Sequence, residues 1–187
     1  MIKLMVGLGN PGRQYEETRH NAGFLFLDVM ASKYGVTGWQ SSSQFHGEIL
    51  SCNVAGDKLI LLKPMQFMNR SGLSVAVVLK YYKFKLDELL VVHDELELPE
   101  GCVKIKSGGG HAGHNGLRDI ITHLGAREFY RLRVGIGRPK EAVNVADYVL
   151  SKPSSQASIN QDSCYQLLAS DAKRLIDTDL DAINKLF

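Results

Sequence analysis

His20 and Asp94 are the residues of this chain best suited to moving a proton. An imidazole can take a proton from water near neutral pH, and it needs a hydrogen-bonded partner to fix its tautomer. Asp94 is a candidate partner, since it comes just after the apolar stretch 89–93 while His20 lies in the polar stretch after residues 2–8. If the two stretches are neighbouring strands, both side chains meet at one sheet edge. Each residue also has a plainer reading. A histidine ahead of a helix is more often structural, and an aspartate after a strand can simply cap a turn. Serine and cysteine nucleophiles are disfavoured: there is no G-x-S-x-G elbow, and none of Cys52, Cys102 and Cys164 lies beside a histidine. Water remains as the nucleophile. His111 and His114 have no carboxylates near them in sequence, and there is no HExxH or CxxC, so neither a metal nor another cofactor is expected.

Two glycine patterns flank these candidates. Gly7-Leu8-Gly9-Asn10-Pro11-Gly12 satisfies G-x-G-x-x-G after a strand-like run and raises a dinucleotide-binding oxidoreductase as one reading. The residues beyond it rule against that reading. Pro11 and the polar residues 13–20 postpone the helix whose N-terminus should hold a pyrophosphate, and Asp28 falls inside a helical pattern rather than at a strand end. A tight turn accounts for the glycines but leaves Asn10 and His20 unexplained. The second pattern, Gly-Gly-Gly-His-Ala-Gly-His-Asn-Gly at 108–116, lacks the G-K-[ST] ending of a phosphate-cradling loop. Each glycine adds conformational entropy that folding must suppress, so a mobile loop over a site, spanning about 107–116, is expected. A flexible surface connector is the plainer alternative.

The elements that must position these residues can be read from hydrophobic periodicity. Residues 2–8 form a near-continuous apolar run, the pattern of a central strand buried on both faces. Phe24, Leu25, Leu27, Val29 and Met30 recur at helical spacing, with Asn21 as a cap and Gly35 as a stop. Residues 45–54 and 58–63 around Ala55-Gly56-Asp57 predict a hairpin, which makes the sheet mixed. A helix is predicted over 68–84, a strand over 89–93, a short strand over 103–106, a helix over 116–124, a strand over 132–136 and a final helix over 155–175. The sum is an α/β fold: a twisted mixed β-sheet with helices on both faces.

The chain has 187 residues, 44% hydrophobic and 22% charged, which suits one domain over 1–187 around one core. No apolar run approaches the roughly 20 residues that span a bilayer, and Asn10-Pro11-Gly12 cuts short the apolar start. A cytoplasmic protein is expected. Net charge is only +2, but residues 101–140 carry eight Lys or Arg against two acids, whereas the remainder after 140 carries four against seven. A basic block of this kind is what a phosphate-bearing partner requires, although alone it would read as a solvated surface.

Four ordered blocks resemble the bacterial peptidyl-tRNA hydrolase family. They are V-G-L-G-N-P-G-x-x-Y-x-x-T-R-H-N at 6–21, F-M-N-x-S-G at 67–72, H-D-E-L-x-L-P-x-G at 93–101 and G-G-G-H-A-G-H-N-G-L-R-D-I at 108–120. One departure is Ala112, where the family usually shows glycine. The resemblance implies hydrolysis of the ester between a peptide and the terminal ribose of tRNA. His20 would take a proton from the attacking water, Asp94 would orient it, and Asn10 would help to hold water and substrate. It further implies substrate contacts from Tyr15, Phe67, Met68, Asn69, His114 and Asn115. Lys104, Lys106 and Arg133 would contact the acceptor stem and 5′-phosphate of the tRNA. The family expectation is a monomer with no obligate protein partner and no membrane association. The rival within the same fold is a catalytically inactive RNA-binding protein, like the organellar splicing-factor relatives, against which the intact His20, Asp94 and asparagines count.

Overall fold

A computed structural model describes residues 1–139 and 143–187. In chain order the elements are β1 (Leu4–Gly7), α1 (Ala22–Lys33), β2 (Gln40–Ser42), β3 (Gly47–Val54), β4 (Asp57–Pro64), α2 (Ser71–Tyr82), β5 (Leu89–Glu95), β6 (Val103–Ser107), α3 (Asn115–Leu124) and β7 (Tyr130–Gly135). Four C-terminal helices complete the chain: α4 (Val145–Val149), α5 (Ser155–Ser170), α6 (Ala172–Ile176) and α7 (Leu180–Asn184). Short 3-10 turns at Arg19–Asn21 and Met68–Arg70 precede α1 and α2.

The strands form one seven-stranded sheet in the order β2-β3-β4-β1-β5-β7-β6. Its centre is parallel, with β1 between β4 and β5 and β7 beyond β5, while β2, β3 and β6 run antiparallel to their neighbours. The expectation of a mixed sheet with helices on both faces therefore holds. One core layer packs α1, α5, α6 and α7 residues such as Phe26, Leu168, Leu175 and Ile183 against the sheet. The other packs Val75, Leu79, Leu117 and Ile120 of α2 and α3 against it. Every residue of β1 and β5 is buried, as expected for strands covered on both sides. No described helix is long and apolar enough to cross a membrane.

A close helix-to-sheet approach explains part of the N-terminal glycine pattern. A Cβ on Gly7 would lie 2.4 Å from the Gly23 carbonyl oxygen, and a Cβ on Gly23 would lie 2.2 Å from the Leu8 nitrogen and 2.5 Å from the Val92 oxygen. The start of α1 thus seats directly on the ends of β1 and β5, which only two glycines permit. That contact sets the distance between His20, just ahead of α1, and Asp94, on β5.

Several boundaries differ from expectation. The strand predicted over 89–93 continues to Glu95, so Asp94 lies within β5 rather than beyond it. The helix predicted over 68–84 begins as a 3-10 turn and becomes α-helical at Ser71. The predicted 155–175 helix breaks at Asp171 into α5 and α6. Asn21 occupies the N-cap position of α1 but its side chain caps nothing there. Its amide oxygen accepts from the Asn10 backbone N–H and its Nδ2 donates to the Asn10 carbonyl, a better use of a carboxamide that is 2% exposed.

Candidate active site

His20 and Asp94, 74 residues apart, meet at the C-terminal end of the parallel strands. His20 Nδ1 lies 2.9 and 3.0 Å from the two Asp94 carboxylate oxygens. Nδ1 must donate to reach a carboxylate, which leaves the lone pair on Nε2. Burial by itself pushes the His20 pKa down, but the charge and hydrogen bond of Asp94 outweigh it and hold the ring above its ordinary 6.5. Burial likewise opposes ionisation of Asp94, and the two imidazoles beside it overturn that and keep the carboxyl well below the usual carboxylate range.

The second imidazole is His114, whose Nε2 lies 3.0 Å from Asp94 Oδ1. Its Nδ1 accepts from the Leu117 backbone N–H and so caps α3, which places its proton on Nε2 and makes it a donor to Asp94. The resemblance implies contact with substrate for His114; in the structure its ring braces the carboxylate and lies 5.0 Å, centroid to centroid, from His20. His93, which no spacing in the sequence singled out, is 3% exposed and donates from Nδ1 to the Asp94 carbonyl. Burial first, then the neighbouring His114, lowers its pKa to about 3, so it is neutral.

Asn10 is held equally firmly. Its Oδ1 accepts from the Met68 backbone N–H at 2.7 Å, which turns its Nδ2 donor to the remaining side. A cleft of about 450 Å³ is lined by Asn10, His20, Asp94, Asn69, His114 and Asn115. Phe67 and Met68 form one apolar wall and Val145, Val149 and Leu150, around α4, form another. The α4 wall was not anticipated, because five residues carry too little periodicity to read. Tyr15 is not among the lining residues; it packs edge-on against Phe67 with ring centroids 6.4 Å apart.

The three basic candidates separate. Lys106 lines the cleft, and burial, then Arg133 and Arg131, lowers its pKa. Arg133 is not among the lining residues and donates through Nε to Glu95 at 2.9 Å. Lys104 is not brought to the cleft, since its ammonium is already occupied by the carbonyls of Asn184 and Phe187, each at 2.6 Å. Lys140, counted in the basic block, lies outside the described residues.

His20, Asp94 and His114 are also the one group of described residues with ligand-type atoms close enough to hold a metal ion, all within 4.8 Å of one another. An ion there would take the nitrogens that now bond to Asp94 and would sever the contact that orients His20.

The family model for peptidyl-tRNA hydrolase matches residues 4–187. The chain belongs to the peptidyl-tRNA hydrolase family. Among its relatives, the peptidyl-tRNA hydrolase of Dichelobacter nodosus is 52% identical over 155 residues, 83% of this chain and 82% of that one. That of Methylococcus capsulatus is 53% identical over 154 residues, 82% of this chain and 81% of that one. In structure, the peptidyl-tRNA hydrolase of Acinetobacter baumannii superposes with a TM-score of 0.92 at 43% identity, covering 98% of this chain and 94% of that one. Membership of the peptidyl-tRNA hydrolase family places the chain among hydrolases of an ester bond and disfavours the oxidoreductase reading of the first glycine pattern.

Proposed function

We propose that this chain hydrolyses the ester that joins a peptide, or an N-blocked amino acid, to the terminal ribose of tRNA. The observation that carries the reading is the clamping of His20 Nδ1 by both oxygens of Asp94, which leaves Nε2 facing the cleft side as a base of raised pKa. A water held at Nε2 attacks the ester carbonyl while its proton passes to the imidazole. Asp94 stabilises the imidazolium that forms, much as a carboxylate does in hydrolytic triads. The Asn10 Nδ2 donor, with Asn69 and Asn115 at the same cleft, steadies the developing oxyanion without adding charge. The imidazolium then protonates the departing ribose oxygen, so the products are a carboxylic acid and tRNA with a free hydroxyl.

Phe67, Met68 and the α4 wall would take the peptide, with Tyr15 beside Phe67 and His114 among the cleft-lining residues that meet substrate. Lys106 and Arg133 would meet the 5′-phosphate and acceptor stem, where contacts to the backbone carry no base sequence and so suit many tRNAs. Lys104 would join them only if it released the C-terminal carbonyls. The chain would act as a monomer, a single unit over 1–187, in the cytoplasm where translation leaves this substrate.

The test is incubation of EDTA-treated protein with N-acetyl-aminoacyl-tRNA and with free aminoacyl-tRNA. Release of only the blocked amino acid is the expected result. No release from either would favour the inactive RNA-binding alternative, and release only after a divalent ion is restored would favour metal binding at His20, Asp94 and His114.

A further inference from the structure

Arg131, on β7, is the largest fully buried side chain among the described residues. A buried guanidinium is normally matched by a carboxylate, because an uncompensated charge in the interior is costly. Arg131 has no carboxylate partner among the described residues. Its charge is instead met by the glycine-rich loop: one terminal nitrogen donates to the Gly110 carbonyl and the other to the Gly109 carbonyl, both at 2.5 Å. A weaker contact reaches the Arg127 carbonyl at 3.4 Å, and the guanidinium lies over the Phe129 ring, 4.7 Å from its centroid.

Two consecutive carbonyls can turn inward because Gly108 and Gly109 adopt φ of 67° and 104°, in the left-handed region. The approach is tight as well, for a Cβ on Gly109 would lie 3.2 Å from the Lys106 ammonium on the adjacent strand. Four residues after Gly110 comes His114, which reaches Asp94, and then Asn115, which opens α3 at the cleft. The loop and the cation therefore depend on each other. Lifting the loop strips the guanidinium of its two close acceptors and leaves only the Arg127 carbonyl, and removing the guanidinium frees the loop.

We propose that Arg131 is a positioning residue for the hydrolysis: its two-pronged grip on Gly109 and Gly110 holds the loop down so that His114 braces Asp94 and Asn115 faces the cleft. The planar fork is essential, since a lysine ammonium offers no rigid pair of parallel donors.

The experiment compares Arg131→Met, Arg131→Lys and Arg131→Ala with the parent protein. Thermal unfolding, kcat and KM on N-acetyl-aminoacyl-tRNA, and NMR titration of the His20 and His114 rings are read for each. In Arg131→Met, kcat is expected to fall about 10- to 100-fold, the penalty typical of a misplaced catalytic constellation. The His20 midpoint is expected to rise, because Asp94 no longer shares its charge with His114 and the ring is rehydrated. Arg131→Lys should fall between the two, and guanidinium ion at low millimolar concentration should restore part of the kcat of Arg131→Ala. If Arg131→Met shows a lower unfolding temperature but parental kcat and parental His20 and His114 titrations, Arg131 only fills space and the proposal is overturned. Should Arg131→Met not fold, parental kcat and titrations in Arg131→Lys overturn it in the same way. Only the kinetic arm rests on His20 as the base. Retained turnover in His20→Ala would remove that reading and leave the loop-positioning claim to the ring titrations.

Discussion

A single carboxylate carrying two imidazoles is the residue-scale feature from which the proposed chemistry arises. Asp94 opposes burial at His20, and the sign of the outcome fixes the pH dependence. The proposed base, His20, would act when neutral, so kcat/KM should fall as pH drops through a midpoint above 6.5. In Asp94→Asn the opposing charge is gone and burial alone remains, so the midpoint should move to the acidic side of 6.5 while kcat falls. A pH profile with an unmoved midpoint would show that Asp94 does not set the basicity of His20. The stability linkage runs the other way: a raised histidine pKa contributes stability that is fully present below the unfolded value and is lost as pH rises through the folded one. At this scale the placing of His20, Asp94 and Asn10 at one cleft was legible, because imidazole, carboxylate and an unexplained asparagine stood at the ends of apolar runs. His93, Asn21 and Arg131 were not. A buried neutral histidine, an asparagine bonding to another residue's backbone and an arginine bonding to loop carbonyls leave no spacing signature; only the fold pairs them.

At the scale of elements, strongly periodic segments were legible and short polar ones were not. The β1 run, the β3–β4 hairpin and α2 announced themselves through a continuous apolar stretch, a turn-forming spacer between two extended stretches and helical spacing. The break between α5 and α6 passed unseen, since the sequence around Asp171 carries neither glycine nor proline. The wall made by α4 is likewise fixed by tertiary bonds: Arg19, next to His20, donates to the Ser151 hydroxyl and the Lys152 carbonyl just beyond that helix and stacks over Tyr148. In the glycine loop, Ala112 adopts φ 47°, a left-handed conformation that costs an L-residue with a Cβ about 1–2 kcal/mol. Ala112→Gly relieves that strain and adds roughly 0.4–1 kcal/mol of unfolded-state entropy, so urea unfolding should show a net gain of about 0.5–1 kcal/mol. A loss of stability would mean that the alanine methyl makes a contact that outweighs its strain.

At the scale of the whole molecule, the uneven charge of the sequence gathers on two neighbouring strands, β6 and β7. Lys106 on β6 lies opposite Arg131 on β7, and Lys104 lies opposite Arg133, so one pair of strands concentrates the basic block. Lys106→Ala and Arg133→Ala should each raise KM for peptidyl-tRNA and reduce the slope of log affinity against log salt by about one. An unchanged slope would locate the phosphate contacts elsewhere. The sheet order was not legible, because nothing local to residues 4–7 or 89–95 states that β1 and β5 are neighbours. Yet that adjacency is what brings residues 20 and 94 together, and the proposed chemistry stands on it. Its most direct test is the single-turnover rate of His20→Ala on saturating N-acetyl-aminoacyl-tRNA, with binding measured separately. The predicted result is a rate lowered by roughly 10²- to 10⁴-fold with substrate affinity retained. Release at the parental rate would contradict it.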